Sequence, residues 1–396
     1  MSKKGEHELF PGHGRSAIGK DMRCCREKPL KTRRATSMAG RVRKAVVLCG
    51  GEGTRLRPFS FSTPKHLMPV ANRPVIAWIF DTLFEAGIRD VAVVVSPLNE
   101  RIFQRELGSS TEHGMQLSFV VQEHPKGLAH AVACARPFVG DSPFLLYLGD
   151  NLFEHGVSEL AEAFGDGSHA ASIALTEVPD PTRFGVARLE GQTILELVEK
   201  PRNPPSSWAV AGAYAFTAEI FEAIEQISPS ARGELEITDA IQVLIERAGD
   251  VNAHFVRGWW KDVGLPRDLI LASELMIRTM NPRIDGDVDD ASRLDGHVVM
   301  DEGASVRGSL LRGPCVVASG AQIIDSEIGP NVTVGADCLV TGTCVRNSIL
   351  MDSCRIEKLP SLEDSIVGRR SKVSPRSSSG SFSVLLGDDS SLSLDL

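Results

Sequence analysis

The stretch that decides the fold spans residues 44–58 and reads KAVVLCGGEGTRLRP. Its apolar run, Ala45–Leu48, is followed by glycine at three of the next five positions, which is typical of a buried strand that ends in a tight loop. Glycine lets backbone N–H groups close on phosphate oxygens, because no Cβ blocks the approach. Arg55 adds a planar fork of donors to this loop, and Lys65 adds a point charge shortly after it. The pattern predicts a phosphate-binding loop at the end of the first strand.

This loop differs from two common phosphate-binding motifs. It lacks the Gly-Lys-Ser/Thr ending of the Walker A loop, and it lacks the third glycine of the dinucleotide-binding pattern. A simple Gly-rich turn is the structural alternative. The glycines, Arg55 and Lys65 all fall within about 16 residues of the strand's end, which favours phosphate binding.

Strand-like and helical patterns alternate from Lys44 to about Asn281. That order predicts an α/β domain at residues 44–281 with a Rossmann-like, mixed but mostly parallel sheet. A chain of 396 residues is longer than one hydrophobic core usually supports, so a second folded unit is expected.

The residue composition changes after Pro282, where single or paired apolar residues alternate with Gly, Asp and Ser. Ile328, Val334 and Val340 follow one another at intervals of six residues. This period predicts a left-handed parallel β-helix of hexapeptide repeats over residues 282–396. Two alternating runs at 382–386 and 392–396 flank a Gly-Asp-Asp-Ser-Ser segment, and they predict a terminal hairpin that caps the β-helix.

Charge is distributed unevenly along the chain. Residues 1–44 carry 13 Lys and Arg against 4 Asp and Glu, so they hold a net charge of +9 and the rest of the chain −17. We expect residues 1–43 to form a basic, disordered arm. The acidic body argues against nucleic acid as a partner. The absence of an apolar run of roughly 18 residues argues against a membrane span.

Two aspartates are candidate metal ligands. Asp150 follows the apolar run Phe144–Leu148, which places it at the carboxyl edge of a predicted parallel strand, where ligands of open α/β sheets bind. Asp262 follows two tryptophans and a lysine. Hard carboxylate oxygens suit Mg²⁺ that bridges phosphates, although either aspartate alone could serve as a turn or helix cap. The eight cysteines form no CxxC pair, and no secretory segment is evident, so reduced thiols and a cytoplasmic location are expected.

The chain resembles the sugar-nucleotidyltransferase family, whose motif G-G-x-G-T-R-L followed by P-K-x-L/M-x-P matches residues 50–56 and 64–69. The resemblance continues through VQEHPKGLAHA at 121–131, LGDN at 148–151, FGV at 184–186 and VEKP at 198–201. It ends with ARGELEITD at 231–239 and WKDVG at 260–264. Within the family, the chain looks most similar to glucose-1-phosphate thymidylyltransferases of the long form, which carry a C-terminal β-helix. One position departs from them: the residue after the conserved lysine, often Gln there, is His66.

The resemblance implies the activity and the site residues. It implies Mg²⁺-dependent transfer of a nucleotidyl group from dTTP to glucose 1-phosphate, with release of pyrophosphate and no covalent intermediate. Arg55, Lys65 and Lys200 would be catalytic, and Asp150 and Asp262 would hold the metal. The nucleotide would contact Leu48, Gly50, Gly51, Gly53, Thr54, Arg55, Lys65, Gln122 and Gly127, with Gln122 and Gly127 at the thymine edge. The sugar phosphate would contact Asn151, Gly185, Glu199, Lys200 and Val210.

Two alternatives stay open from the sequence. Other sugar-1-phosphate nucleotidyltransferases, which form UDP- or GDP-sugars, share the glycine-rich loop. A non-catalytic regulatory or scaffold relative would keep the fold but typically lose the cations or aspartates, which are present here. Homo-oligomerisation through the β-helix is a further expectation.

Overall fold

The computed structural model describes residues 42–165, 169–247, 250–375 and 380–394. The predicted basic arm at residues 1–43 lies outside these residues except for its last two. Among the described residues there are eight α-helices: α1 (Val75–Glu85), α2 (Glu100–Leu107), α3 (Leu128–Cys134), α4 (Arg136–Val139), α5 (Ser158–Phe164), α6 (Glu219–Ile224), α7 (Ile237–Glu246) and α8 (Pro266–Thr279). No described helix is long and apolar enough to cross a membrane.

Thirteen strands precede the end of α8 in the part of the chain that the structure describes. They are β1 (Lys44–Cys49), β2 (Pro69–Val70), β3 (Arg73–Pro74), β4 (Asp90–Val95), β5 (Gln116–Val121), β6 (Phe144–Leu148), β7 (Asn151–Phe153), β8 (Ala171–Glu177), β9 (Gly185–Glu190), β10 (Thr193–Glu199), β11 (Trp208–Phe216), β12 (Val251–Phe255) and β13 (Trp260–Asp262).

A nine-stranded sheet forms the centre of this first domain, in the order β5-β4-β1-β6-β11-β8-β12-β10-β9. Strand β1 is parallel to both of its neighbours, and β5, β4, β1 and β6 form a continuous parallel half. The pairings of the other half reverse the direction of β11 and β10 alone. Seven of the nine described strands therefore run the same way, which confirms the predicted mixed but mostly parallel sheet.

Both faces of this sheet are covered by helices, because its central strands are apolar on both faces. Along β1, Ala45, Val47 and Cys49 face one buried cluster, which includes residues of α1, α2, α5 and α8. Val46 and Leu48 face the other, which includes residues of α3, α4, α6 and α7. The carboxyl ends of β1, β4, β5 and β6 consequently meet at one edge of the sheet, and the loops that follow them lie side by side.

Short parallel strands make up the rest of the described chain. They are β14 (Arg283–Ile284), β15 (Asp287–Val288), β16 (Arg293–Asp295), β17 (Val298–Met300), β18 (Ser305–Arg307), β19 (Leu310–Arg312), β20 (Cys315–Val317), β21 (Gln322–Ile324), β22 (Glu327–Ile328), β23 (Val332–Val334), β24 (Leu339–Thr341), β25 (Cys344–Arg346), β26 (Ser348–Leu350), β27 (Arg355–Glu357), β28 (Ser361–Glu363), β29 (Ile366–Val367), β30 (Lys372–Pro375), β31 (Ser381–Phe382), β32 (Leu385–Leu386) and β33 (Ser391–Leu394).

These strands build the three parallel sheets of a left-handed β-helix, each sheet taking every third strand. Ile328, Val334 and Val340 lie on three successive sides of the coil, in β22, β23 and β24, and all three are buried. The predicted six-residue interval therefore corresponds to one side. Paired residues on successive coils, such as Ile323 and Val340, are 17 positions apart.

The predicted terminal hairpin is wrong. The two runs do not pair with each other. Instead, β31, β32 and β33 each pair in parallel with the strand of the preceding coil, β28, β29 and β30 respectively. The Gly-Asp-Asp-Ser-Ser segment is thus part of one more coil, because stacking on the apolar side chains beneath it buries more surface than an isolated hairpin would.

One side of the β-helix packs on the first domain. The outward-facing residues Val299, Val316, Ile349 and Ile366 join the same buried cluster as α8. The turn between β2 and β3 adds a polar contact, in which Asn72 Nδ2 donates to the Val334 carbonyl at 2.8 Å.

Candidate active site

The glycine-rich loop after β1 packs on two other predicted nucleotide-binding residues. A Cβ at Gly50 would lie 2.8 Å from Gln122 Oε1. Gly53 has a φ of 66°, and a Cβ there would lie 3.1 Å from Lys65 Cβ. A side chain at Gly50 would require the Gln122 amide to shift, and a side chain at Gly53 would be strained by the left-handed φ and would press on Lys65. Thr54 follows at the start of a 3₁₀ turn and is exposed.

Leu48 has its side chain buried in the core. Its carbonyl oxygen accepts from the Gly149 N–H at 3.0 Å, which ties the end of β1 to the loop after β6. A Cβ at Gly149 would lie 2.6 Å from Cys49 Sγ and 2.9 Å from the His66 ring. The contribution of Leu48 is therefore to hold these two loops together.

Lys65 and Asp150 form an ion pair at the carboxyl edge of the sheet. The other oxygen of Asp150 accepts from Asn151 Nδ2 at 2.8 Å, and Asn151 Oδ1 accepts in turn from Trp260 Nε1 at 2.7 Å. Strands β7 and β13 pair so that Asp262 lies opposite Asn151. Two aspartates 112 positions apart in the chain are therefore brought to one place.

The pKa values of the Asp150 and Asp262 carboxyl groups are shifted in opposite directions. Burial works against ionisation of Asp150, but the Lys65 ammonium and the Asn151 amide outweigh it and hold the pKa of Asp150 below its ordinary value. Burial and the negative charge of Asp150 raise the pKa of Asp262 to about 6. Two carboxylates that repel each other at a buried edge offer the hard oxygen donors that a divalent cation prefers. These residues fit Mg²⁺.

Arg55 lies next to this pair. A Cβ at Gly264 would be 3.2 Å from Arg55 Nη2 and 3.5 Å from Asp262 Oδ2, so the guanidinium and the carboxylate border the same small space. The structure thus gathers Arg55, Lys65, Asp150 and Asp262 in one place.

A second group of residues lies at the Gln122 end of the loop. Gln122 Nε2 donates to the Gly127 carbonyl at 3.2 Å and lies 3.0 Å from His130 Nδ1. Gly127 has a φ of 106°, and a Cβ there would come within 2.5 Å of the Leu235 carbonyl oxygen. Ala129 N–H donates to that same oxygen at 3.0 Å. The 121–131 and 231–239 segments, far apart in sequence, therefore form one wall of the site.

The predicted sugar-phosphate residues Gly185, Val210 and Glu199 lie close together. A Cβ at Gly185 would lie 2.8 Å from Thr238 Cγ2, 3.3 Å from Val210 Cγ2 and 3.4 Å from Glu199 Oε2. Lys200 adopts a left-handed φ of 43°, and its ammonium lies 3.4 Å from Glu199. Asn151 lies against Gly212, which is on the same strand, β11, as Val210. A Cβ at Gly212 would be 2.9 Å from the Asn151 amide carbon.

A model of the "Nucleotidyl transferase" family matches residues 44–278, and a model of the "GMPPB C-terminal domain" matches residues 311–393. The chain belongs to the nucleotidyl transferase family. It is 41% identical over 332 residues to a glucose-1-phosphate thymidylyltransferase of Streptomyces antibioticus, covering 83% of this chain and 93% of the relative. It is 39% identical, with the same coverages, to the low-salt glycan biosynthesis nucleotidyltransferase Agl11 of Haloferax volcanii.

A solved structure is also similar to this nucleotidyltransferase. It is described as a glucose-1-phosphate thymidylyltransferase of Bacillus anthracis in complex with sucrose, and it is 35% identical, with a TM-score of 0.56. The match covers 61% of this chain and 97% of that one, which is consistent with a shared first domain.

Sequence reasoning did not single out three residues of this nucleotidyltransferase that the structure places at the site. Arg232 lies 3.3 Å from Glu199 and donates to both oxygens of Glu236 at 2.8 Å, and Thr238 Oγ1 donates to Glu199 at 3.3 Å. The third is His130, beside Gln122. Arg232 and Thr238 stand in the quoted 231–239 motif, so the motif itself was the available signal.

His66, the position that departs from the thymidylyltransferase pattern, is fully buried beneath the site. Its ring centroid lies 6.1 Å from that of Phe103, and no described atom pairs with its Nδ1. Burial, helped by the Lys65 ammonium, lowers the pKa of His66 to about 3, so the ring is neutral. The residue therefore packs under Gly149 and Lys65.

Proposed function

We propose that this nucleotidyltransferase transfers the thymidylyl group of dTTP to glucose 1-phosphate, giving dTDP-glucose and pyrophosphate. The observation that carries the proposal is the gathering of Arg55, Lys65 and two aspartates at the carboxyl edge of the sheet, with a separate cationic group at Lys200 and Arg232. Two sets of cations suit two phosphate-bearing substrates. The names of the similar proteins support the choice of substrates.

The proposed reaction is an in-line attack by a phosphate oxygen of glucose 1-phosphate on the α-phosphorus of dTTP. The attacking phosphate is already ionised near neutral pH, so no general base is needed, and catalysis reduces to positioning and charge stabilisation. Arg55 and Lys65 would hold the triphosphate. Lys200 and Arg232 would hold the attacking phosphate, with Glu199 facing the sugar hydroxyls.

Asp150 and Asp262 would hold Mg²⁺, which when bound supplies positive charge that offsets the repulsion between the two phosphate groups. We place the reaction in the cytoplasm, which suits the six described cysteines, all of them free thiols. Homo-oligomerisation through the β-helix stays a prediction.

Base selection would depend on the orientation of the Gln122 amide. Nε2 donates one hydrogen to Gly127 O, and it donates the other to His130 Nδ1 in the tautomer that carries its proton on the imidazole Nε2; Oε1 is then left as an acceptor facing the glycine-rich loop. Thymine and uracil present an N3–H donor, whereas cytosine presents an acceptor at N3. A fixed Oε1 would therefore favour thymine and uracil over cytosine, but would not separate the first two from each other.

Replacing His130 should relax this selection. In His130→Phe the ring remains but Nδ1 is lost, so the amide can rotate and offer Nε2 to cytosine. We expect the ratio of kcat/KM for dTTP to that for CTP to fall by about tenfold, since one unpaired buried hydrogen-bonding group costs about 1–3 kcal/mol. His124→Phe, an exposed histidine on the same loop, is the matched control. Equal ratios in the wild type and both variants would refute the role of the amide.

A screen of triphosphates tests the substrate choice. Purified protein is incubated with Mg²⁺, glucose 1-phosphate and, separately, dTTP, UTP, CTP, GTP or ATP, and pyrophosphate release is followed with an EDTA control. We expect dTTP to give the highest kcat/KM and EDTA to abolish the signal. A higher value with UTP or GTP would replace the nucleotide but keep the reaction, whereas no release with any triphosphate would favour a non-catalytic relative.

A further inference from the structure

The last two coils of the β-helix contact the segment that joins the two predicted triphosphate-binding cations. This segment, residues 58–63, leads from the Arg55 loop to Lys65, and we call it the connector. Its inner side is anchored by Phe59, which is 1% exposed in the core. Its tip is Phe61, which is 74% exposed and lies under the Arg57 guanidinium at 4.8 Å.

Three contacts hold the outer side of the connector. Arg369 Nη1 donates to Thr63 Oγ1 at 2.9 Å, and Ser62 Oγ donates to Asp388 Oδ2 at 2.8 Å. Gly387, next to Asp388, also lies against Pro58: a Cβ built at Gly387 would be at ordinary van der Waals distance, 3.4 Å, from Pro58 Cβ. The partners in the two hydrogen bonds are 306 and 326 positions apart in the chain.

The two β-helix side chains are themselves fixed. The other oxygen of Asp388 accepts from the Arg369 backbone N–H at 2.7 Å, and Arg369 Nε points to Asp352 Oδ2 at 3.5 Å. The next residues along the chain behave differently, since the Arg370 guanidinium bonds to Asp389 at 2.5 and 2.6 Å. One Arg–Asp pair thus faces the connector, and its neighbour does not.

We propose that Arg369 and Asp388 are positioning residues of the nucleotidyltransferase, which hold the connector so that Arg55 and Lys65 meet the triphosphate in register. This inference rests on the proposed function. Partly exposed hydrogen bonds of this kind contribute little to global stability. Their effect on geometry is larger, because a displacement of about 1 Å of a group that binds the reacting phosphates can reduce turnover by up to about 10²-fold.

The test compares Arg369→Ala with Arg370→Ala in the full chain. For Arg369→Ala we expect kcat with dTTP and glucose 1-phosphate to fall by about tenfold, within the range that misplacement allows. The KM for glucose 1-phosphate should stay unchanged, because Glu199 and Lys200, which are proposed to bind it, make their described contacts with each other and with Arg232 and Thr238 rather than with the connector. For Arg370→Ala we expect wild-type kinetics. Equal kinetics of the two variants would overturn the proposal.

A second variant removes the same contact from the opposite side. Thr63→Val keeps the shape of the side chain but loses the acceptor for Arg369, so it tests the contact even if the last two coils of Arg369→Ala fail to fold. In a double-mutant cycle, the combined variant should be no slower than the slower single variant, since both remove one interaction. Fully additive losses would contradict a shared role.

Hydrogen exchange separates this proposal from the proposed reaction. Backbone amides of the connector and the turn after it should exchange faster in Arg369→Ala than in Arg370→Ala, whether or not the protein turns over dTTP. If exchange is faster in Arg369→Ala but the wild type has no activity, the contact with the connector is supported and the proposed function is refuted. If exchange is unchanged in Arg369→Ala and the wild type is active, only the positioning role of Arg369 is refuted.

Discussion

Lys65→Met is expected to reduce kcat by about 10²–10³-fold, the loss typical of removing one group that stabilises charge in the transition state. The Lys65 ammonium is paired with Asp150 and packed against the glycine-rich loop, so it is placed to meet the triphosphate. Methionine keeps the unbranched chain that fills the space beside Gly53. Steady-state pyrophosphate release gives the rate, and thermal unfolding shows whether the fold is retained.

A second lysine provides the matched control. Lys261 pairs with Asp268 at 2.7 Å and is 23% exposed, against 15% for Lys65. Lys261→Met also leaves a buried carboxylate without its partner, so it should lower the free energy of unfolding. Its turnover should stay close to that of the wild type. Near-normal turnover in Lys65→Met, or an equal loss in both variants, would contradict the assigned role.

Asp262→Asn should nearly abolish turnover while leaving the protein as stable as the wild type or more so. The folded protein disfavours the Asp262 anion, because the side chain is largely buried and faces the charge of Asp150. Removing that charge relieves the repulsion, and the amide keeps the volume. The loss of a metal ligand should lower kcat by at least about 10²-fold and raise the Mg²⁺ concentration needed for half-maximal activity.

Asp268→Asn is the control for this variant, since Asp268 accepts from the Leu265 N–H at 2.8 Å and pairs with Lys261. We expect it to lose stability and keep its Mg²⁺ dependence. If Asp262→Asn lowered the melting temperature and retained the wild-type response to Mg²⁺, the carboxylate would be structural and the metal would be held elsewhere.

Local patterns in the sequence were enough to predict much of the fold. The glycine-rich loop after an apolar run predicted a candidate phosphate-binding site at the end of β1, and the six-residue interval of Ile328, Val334 and Val340 predicted the β-helix, which the structure contains. The terminal coil was missed for a physical reason. Two alternating runs around a polar turn are what a hairpin needs, whereas their actual partners lie 19 or 20 residues earlier and cannot be read from local pattern.

The same distinction applies to the site. Asp150 and Asp262 were predicted from their chemistry and the family motif, and the pairing of β7 with β13 brings them together. The contact of His130 with the Gln122 amide and the contact of Arg369 with Thr63 depend on three-dimensional packing. No motif, charge pattern or period in the chain distinguishes Arg369 from Arg370.

The β-helix contacts the first domain at two places. One of its sides joins the buried cluster of the first domain, and its last two coils reach the connector. If the connector positions Arg55 and Lys65 as proposed, variation in those coils will change turnover without a change in the residues proposed to touch substrate.

Direct transfer between two substrates can be measured as pyrophosphate release from dTTP with and without glucose 1-phosphate. We expect no release from dTTP alone, and equal amounts of pyrophosphate and dTDP-glucose when both substrates and Mg²⁺ are present. Release of pyrophosphate from dTTP alone would indicate hydrolysis or a covalent nucleotidyl-enzyme, and would contradict direct transfer.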